Sequence, residues 1–247
     1  LMAKTMVTNK VDLLAGIATP AVMREYSAAK NSDIPIVFTA VSDPVSAGLV
    51  KSIEESGTNC TGTSDVLPLE AQVKMIRAFL PDATKIGVVY TTSEPNSVSQ
   101  LERLQTIAAD NGFEVIAVGV TNSSEVASAA ASVVAQGADC INNFTDNNVV
   151  DNLASVIKAA NDGGIPVFGS EIEQVKNGCL AAEGIDYVAL GEQTGRMAAQ
   201  VLKGEDVSTM PVEEIKESTP VYNKTVCEAL GLTLPEAYQN AEDVSAS

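Results

Sequence analysis

Histidine occurs nowhere in the chain, and tryptophan is also missing. Without histidine there is no Ser-His or Cys-His nucleophile pair and no histidine-ligated metal site. The four cysteines, Cys60, Cys140, Cys179 and Cys227, are scattered without a C-x-x-C pair. Cys140 and Cys179 fall in apolar runs, where a thiol reads as a small buried hydrophobe. Basic residues are scarce too: 15 Lys and Arg stand against 32 Asp and Glu, for a net charge of −17. Such a charge repels nucleic acid and anionic membrane surfaces, so neither is expected as a partner. No apolar run approaches the ~20 residues a spanning helix needs. No Walker loop, G-x-G-x-x-G or G-x-S-x-G is present. These absences argue against an enzyme, and no catalytic residue, metal or cofactor is expected.

What is present repeats. Asp12-Leu-Leu-Ala-Gly-Ile-Ala-Thr19-Pro, a helical run and Asn31-Ser-Asp-Ile-Pro-Ile-Val-Phe38 are echoed by Asp139-Cys-Ile-Asn-Asn-Phe-Thr145-Asp, a helical run and Asn161-Asp-Gly-Gly-Ile-Pro-Val-Phe168. Each reads as strand, polar turn, helix and a second buried strand, which suggests two similar lobes with a cleft between them. The 45% hydrophobic content is enough for two modest cores. Short apolar runs predict strands at 11–17, 34–40, 60–63, 85–90, 114–118, 139–143, 166–169, 179–184 and 212–215. Apolar residues three and four apart predict helices through Leu69, Val73, Ile76 and Leu80, and through Val98, Leu101, Leu104 and Ala108. Two more run through Val149, Leu153, Val156 and Ala160, and through Leu190, Thr194, Met197 and Val201. The alternation is that of an α/β protein with two doubly wound parallel-sheet lobes. Junctions are expected at 62–67 and 184–187. They divide the chain into lobe 1 at 1–64, lobe 2 at 65–185, and a return of 186–247 to lobe 1 with a weakly docked tail from residue 232.

Ligands of open α/β sheets lie at the carboxyl ends of the strands. Here those ends carry Thr19, Ser42 and Asp43, then Ser93, Asn96 and Ser97, then Phe144, Thr145, Asp146 and Asn147, and finally Glu171, Asp186 and Tyr187. They hold hydroxyls, amides and carboxylates but no lysine or arginine, the usual partners of phosphate and dicarboxylate ligands. A small zwitterion fits this set. Its carboxylate would lie at helix N-termini beside Thr19, Ser93, Asn96 and Ser97, and its ammonium would pair with Asp146, Glu171 or Asp186. Phe144 and Tyr187 would stack on a flat group. Each Ser, Thr, Asp and Asn also has an ordinary use as a helix N-cap.

The ordered string of motifs resembles the substrate-binding proteins of ABC transporters, in the family that includes tryptophan- and tyrosine-binding lipoproteins. The similarity runs through Asp12-Leu-Leu-Ala-Gly-Ile-Ala-Thr-Pro-Ala21 and Pro35-Ile-Val-Phe-Thr-Ala-Val-Ser-Asp-Pro44. It continues through Lys85-Ile-Gly-Val-Val-Tyr90, Ser93-Glu-Pro-Asn-Ser97, Thr145-Asp-Asn147, Ile165-Pro-Val-Phe168 and Gly184-Ile-Asp-Tyr187. The resemblance implies a type I periplasmic-binding-protein-like fold whose lobes close on an amino acid, tryptophan or tyrosine. It further implies delivery to an ABC permease, and an extracytoplasmic position on a lipid anchor absent from this chain. Against that family pattern, lobe 1 is expected to lack an initial β-α-β segment and to present an exposed apolar strand edge. A ligand-sensing domain of a regulator or receptor with the same fold, and an α/β enzyme, stand as the alternatives.

Overall fold

A computed structural model describes residues 2–215 and 218–245. The chain begins with α1 (Met2–Thr8), β1 (Leu14–Ile17), α2 (Thr19–Ala29), β2 (Ile36–Thr39) and β3 (Cys60–Ser64). Next come α3 (Leu69–Phe79), β4 (Lys85–Thr91), α4 (Pro95–Asp110), β5 (Glu114–Val120) and α5 (Val126–Ala135). They are followed by β6 (Cys140–Asn142), α6 (Asn147–Val150), α7 (Leu153–Gly163), β7 (Val167–Phe168), α8 (Ile172–Lys176) and β8 (Ala181–Gly184). The last elements are α9 (Tyr187–Leu202), β9 (Glu213–Glu214), β10 (Thr219–Tyr222), α10 (Lys224–Ala229) and β11 (Glu242–Asp243). They form two compact units, Leu1–Val66 with Asp186–Lys216, and Leu67–Ile185 with Glu217–Ser247.

The first unit is built on a parallel sheet of order β1-β2-β3-β9. Strand β2 divides its apolar side chains between the faces, as a period of two requires. Ile36 and Phe38 pack with Leu14, with Val22 of α2 and with Leu49, whereas Val37 packs with Met197 and Val201 of α9. Both faces are therefore covered, the usual condition of a parallel sheet. Gly62 lets β3 lie against β2, because a Cβ there would fall 2.0 Å from the Phe38 carbonyl oxygen. β1 is the edge strand, and its Ile17 is 70% exposed.

The second unit has a parallel sheet of order β5-β4-β6-β7. Hydrogen bonds from Leu180 N–H to the Val167 carbonyl and from Gly169 N–H to the Ala181 carbonyl join β7 to the segment that forms β8. The apolar stripe of α3 is buried at Leu69, Val73 and Ile76, and that of α4 at Leu101, Leu104 and Ala108. The stripe expected to run unbroken from Val149 to Ala160 is divided. α6 ends at Val150, and α7 starts at Leu153 after Asn152 leaves the helical region at φ −117°.

The expected return of 186–247 to lobe 1 needs correction over its last part. β10 pairs antiparallel with β8 of the second unit, and β11 pairs parallel with β10. Val221 and Val244 are buried in the core of that unit. Tyr238 stacks on Phe79 with ring centroids 6.3 Å apart. The tail is thus docked through a strand pair and a buried valine; residues 246 and 247 lie outside the described residues. Among the described residues, no helix is long and apolar enough to cross a membrane.

Candidate functional site

In the second unit, β4 and β6 are paired neighbours, so the turns that leave them meet. Asp146 caps α6 and is fully buried. Its Oδ2 accepts from the Thr91 N–H and the Ser97 hydroxyl, each at 2.6 Å. Its Oδ1 accepts from the Thr91 hydroxyl at 2.8 Å and the Val149 N–H at 3.0 Å. Four donors saturate this carboxylate. Beside it, Glu94 is 6% exposed, and its Oε2 accepts from the Asn147 N–H at 3.2 Å and the Asn147 side chain at 2.7 Å. The Asn96 amide donates to Glu94 Oε2 at 3.3 Å and to the Thr145 carbonyl at 3.4 Å, and Gln100 donates to Thr145 Oγ1 at 3.0 Å. The carbonyl oxygens of Asn96 and Gln100 are left buried without a partner.

The fold thus gathers five of the sequence-derived residues, Asn96, Ser97, Thr145, Asp146 and Asn147, into one polar cluster. Glu94 and Gln100 complete it. Ser93 stands exposed in the turn ahead of α4. The Ser97 hydroxyl is committed to Asp146, so the carboxylate donor expected of it is already engaged. Phe144 is wholly buried, with no face exposed for stacking. Glu171 caps α8 and accepts the N–H groups of Glu173 and Gln174, each at 2.7 Å. Burial pushes its carboxyl up, and those two N–H groups pull it back.

In the first unit, Thr19 opens α2 and is 2% exposed. The residue before it, Ala18, has φ 68°, and Ala40, just after β2, has φ 55°. Two adjacent strands therefore end in backbone conformations that alanine adopts at a cost, a strain that tends to gather at functional positions. Asp43 turns back on Ser46, accepting its N–H at 2.9 Å and its hydroxyl at 2.8 Å. Asp186 caps α9, accepting from the N–H groups of Val188 and Ala189.

Ser42 and Tyr187 converge on a residue that the sequence reading did not single out, Asp65. The Ser42 hydroxyl donates to Oδ1 and the Tyr187 hydroxyl to Oδ2, each at 2.8 Å. Asp65 directly follows β3 and is 2% exposed. Burial pushes its carboxyl up to about 6 while the two hydroxyls pull it down. A signal for it existed in Gly62-Thr-Ser-Asp65, an acid immediately after a strand, although that stretch read as a junction. Nearby, Thr63 Oγ1 contacts Thr39 Oγ1 at 3.2 Å and Thr194 Oγ1 at 2.7 Å.

The second unit's cluster presents hydroxyls, amides and carboxylates and the first unit's hydroxyls and carboxylates, and none of the hydrogen bonds named here comes from a lysine or arginine. That chemistry suits a ligand carrying N–H or ammonium groups. It does not suit nucleophilic attack by a thiol, since burial pushes Cys60, Cys140 and Cys179 well above the ordinary thiol range.

Comparison with known proteins agrees with this picture. The chain is 42% identical over 231 residues to a tyrosine-binding protein of Clostridioides difficile, covering 94% of this chain and 66% of that protein's length. A Streptococcus pneumoniae ABC domain solved in complex with L-Trp superposes with a TM-score of 0.93 at 35% identity, covering 98% of this chain and 81% of that one. A conserved domain protein of Vibrio cholerae superposes equally well, at 0.93 and 40% identity, covering 98% and 80%. The family described as ABC transporter substrate binding protein matches residues 1–244. On that match, the chain belongs to the substrate-binding protein family of ABC transporters.

Proposed function

We propose that this chain is the solute-binding component of an ABC importer for an aromatic amino acid, tyrosine or tryptophan, which it hands to a membrane permease. The observation that carries the reading is 42% identity, across 94% of the chain, to a protein that binds tyrosine. The similarity to a domain holding L-Trp supports the same ligand class. The composition of both polar clusters supports it independently, because they offer acceptors for an ammonium and no basic group for a phosphate. The unpaired carbonyl oxygens of Asn96 and Gln100 add two buried acceptors that a bound N–H or an ordered water would satisfy.

In this reading the ligand is taken at the carboxyl ends of the strands. On the first unit the strand-end residues offered as contacts are Thr19, Ser42, Asp43 and Tyr187; the second unit, taken by itself, offers Ser93, Asn96, Thr145 and Asn147. The protein works outside the cytoplasm, tethered by a lipid anchor, and passes its cargo on without chemical change. A thermal-shift screen of the twenty amino acids and common nucleosides tests this. Tyrosine or tryptophan should raise the melting temperature, as any ligand selective for the native state does. A response to nucleosides alone, or to nothing, would remove the assignment.

A further inference from the structure

We propose that Asp65 is the carboxylate that receives the amino group of the ligand, with Ser42 and Tyr187 as the residues that position it. The inference rests on the amino-acid reading above and names the group that recognises the ammonium. The three acids that the sequence suggested for this role are each engaged in capping a helix. Asp146 accepts four hydrogen bonds, and Glu171 and Asp186 each accept two helix N–H groups.

Asp65 differs in three respects. It stands at the carboxyl end of β3, where parallel sheets present residues to ligands. Its donors are two side-chain hydroxyls, one on each oxygen, and its own backbone N–H rather than the N–H groups of a helix it caps, which leaves acceptor capacity on the carboxylate. Among the described residues no positive charge offsets this buried acid: burial raises its proton affinity, and hydrogen bonds from Tyr187, Ser42 and its own backbone lower it. Among the described residues, the titratable groups on the surrounding elements are Cys60 on β3 itself, Asp43 beside Ser42, Asp206 ahead of the turn at 207–209, Glu213 and Glu214 on β9, and Asp186, Tyr187, Glu192 and Arg196 on α9. The only base among these, Arg196, is exposed and lies 3.9 Å from Glu192. Tyr187 is half-buried, and its hydroxyl holds Oδ2.

A ligand ammonium supplies the missing charge. Bound at neutral pH, it pairs with the ionised carboxylate. Bound near pH 5.5, where unliganded Asp65 is mostly protonated, it displaces that proton to solvent as the carboxylate–ammonium pair forms. Affinity should therefore weaken below pH 6, approaching about tenfold per pH unit.

The test is calorimetric titration of the protein with L-tyrosine and with its des-amino analogue, 3-(4-hydroxyphenyl)propionate, at pH 7.5 and 5.5. Each pH is run in two buffers of different ionisation enthalpy. Wild type should prefer the amino acid strongly and release a proton on binding it at pH 5.5. D65N should lose about 30-fold or more in affinity for L-tyrosine, keep its affinity for the analogue, and release no proton. Y187F and S42A retain the carboxylate but remove a donor to it, so they should move the pH midpoint of L-tyrosine binding upward; they serve if D65N fails to fold. Undiminished discrimination and proton release in D65N, or an unmoved midpoint in both hydroxyl variants, would overturn the role of Asp65 and leave the amino-acid reading standing. Failure of wild type to bind L-tyrosine at either pH, with the analogue bound normally, would instead remove the amino-acid reading itself.

Discussion

Asp146 in the second unit and Asp65 in the first follow adjacent-type strand ends of parallel sheets, and both are at 2% exposure or less. Their surroundings differ. Asp146 receives two backbone N–H groups and two hydroxyls, four donors in all. Asp65 receives two side-chain hydroxyls and its own backbone N–H, and burial pushes it up to about 6. The first acid therefore serves to hold two turns together. The second remains under-compensated, the condition expected of a group that meets its partner from outside the chain.

Removing Asp146 should do the most damage. D146A leaves Thr91 N–H, Val149 N–H and two hydroxyls without an acceptor. It should cost about 3 kcal/mol or more in urea unfolding, and a loss below about 1 kcal/mol would break the contrast. Asp65 acts on stability through its titration. Its folded-state pKa lies above the unfolded value, so the native state holds the proton more tightly, and the stabilisation this gives is lost as pH rises from about 4 to about 6. Measured as the wild type minus D65N difference, the loss should total about 2–3 kcal/mol for a shift of about two units and be flat above pH 7. A difference that grew with pH would contradict the assignment.

Smaller effects sharpen the comparison. Glu94 accepts three N–H contacts, from Asn96 and Asn147. E94Q should destabilise by about 1–2 kcal/mol, an intermediate loss readable in the same unfolding experiment. Y187F removes one of the two hydroxyls on Asp65, should cost about 1 kcal/mol or less at pH 7.5, and should displace the Asp65 titration upward in an NMR carboxyl titration.

The α/β architecture and most strands were legible because parallel strands covered on both faces appear as short continuous apolar runs. Phe38 and Ile141 mark two such runs, and both are buried. Strands β10 and β11 left no such trace. Thr219–Tyr222 contains a proline, and Glu242–Asp243 is charged and exposed, so only the pairing itself and Val244 reveal the docked tail. At the candidate site, residue types in turns after strands pointed to Asn96, Thr145 and Asn147, but not to their partners. Gln100 lies one helical turn beyond Asn96, and Asp65 lies inside a junction. Hydrogen-bond commitment is also invisible in sequence. Asp146 and Asp186 both look like free acids on paper, and both are occupied by N–H donors.

The most direct measurement is isothermal titration of the purified protein with L-tyrosine and L-tryptophan at pH 7.5, with L-glutamate and ribose as comparators. Saturable one-to-one binding of at least one aromatic amino acid, with neither comparator bound, is the predicted result. Binding of ribose or glutamate in its place would contradict the account.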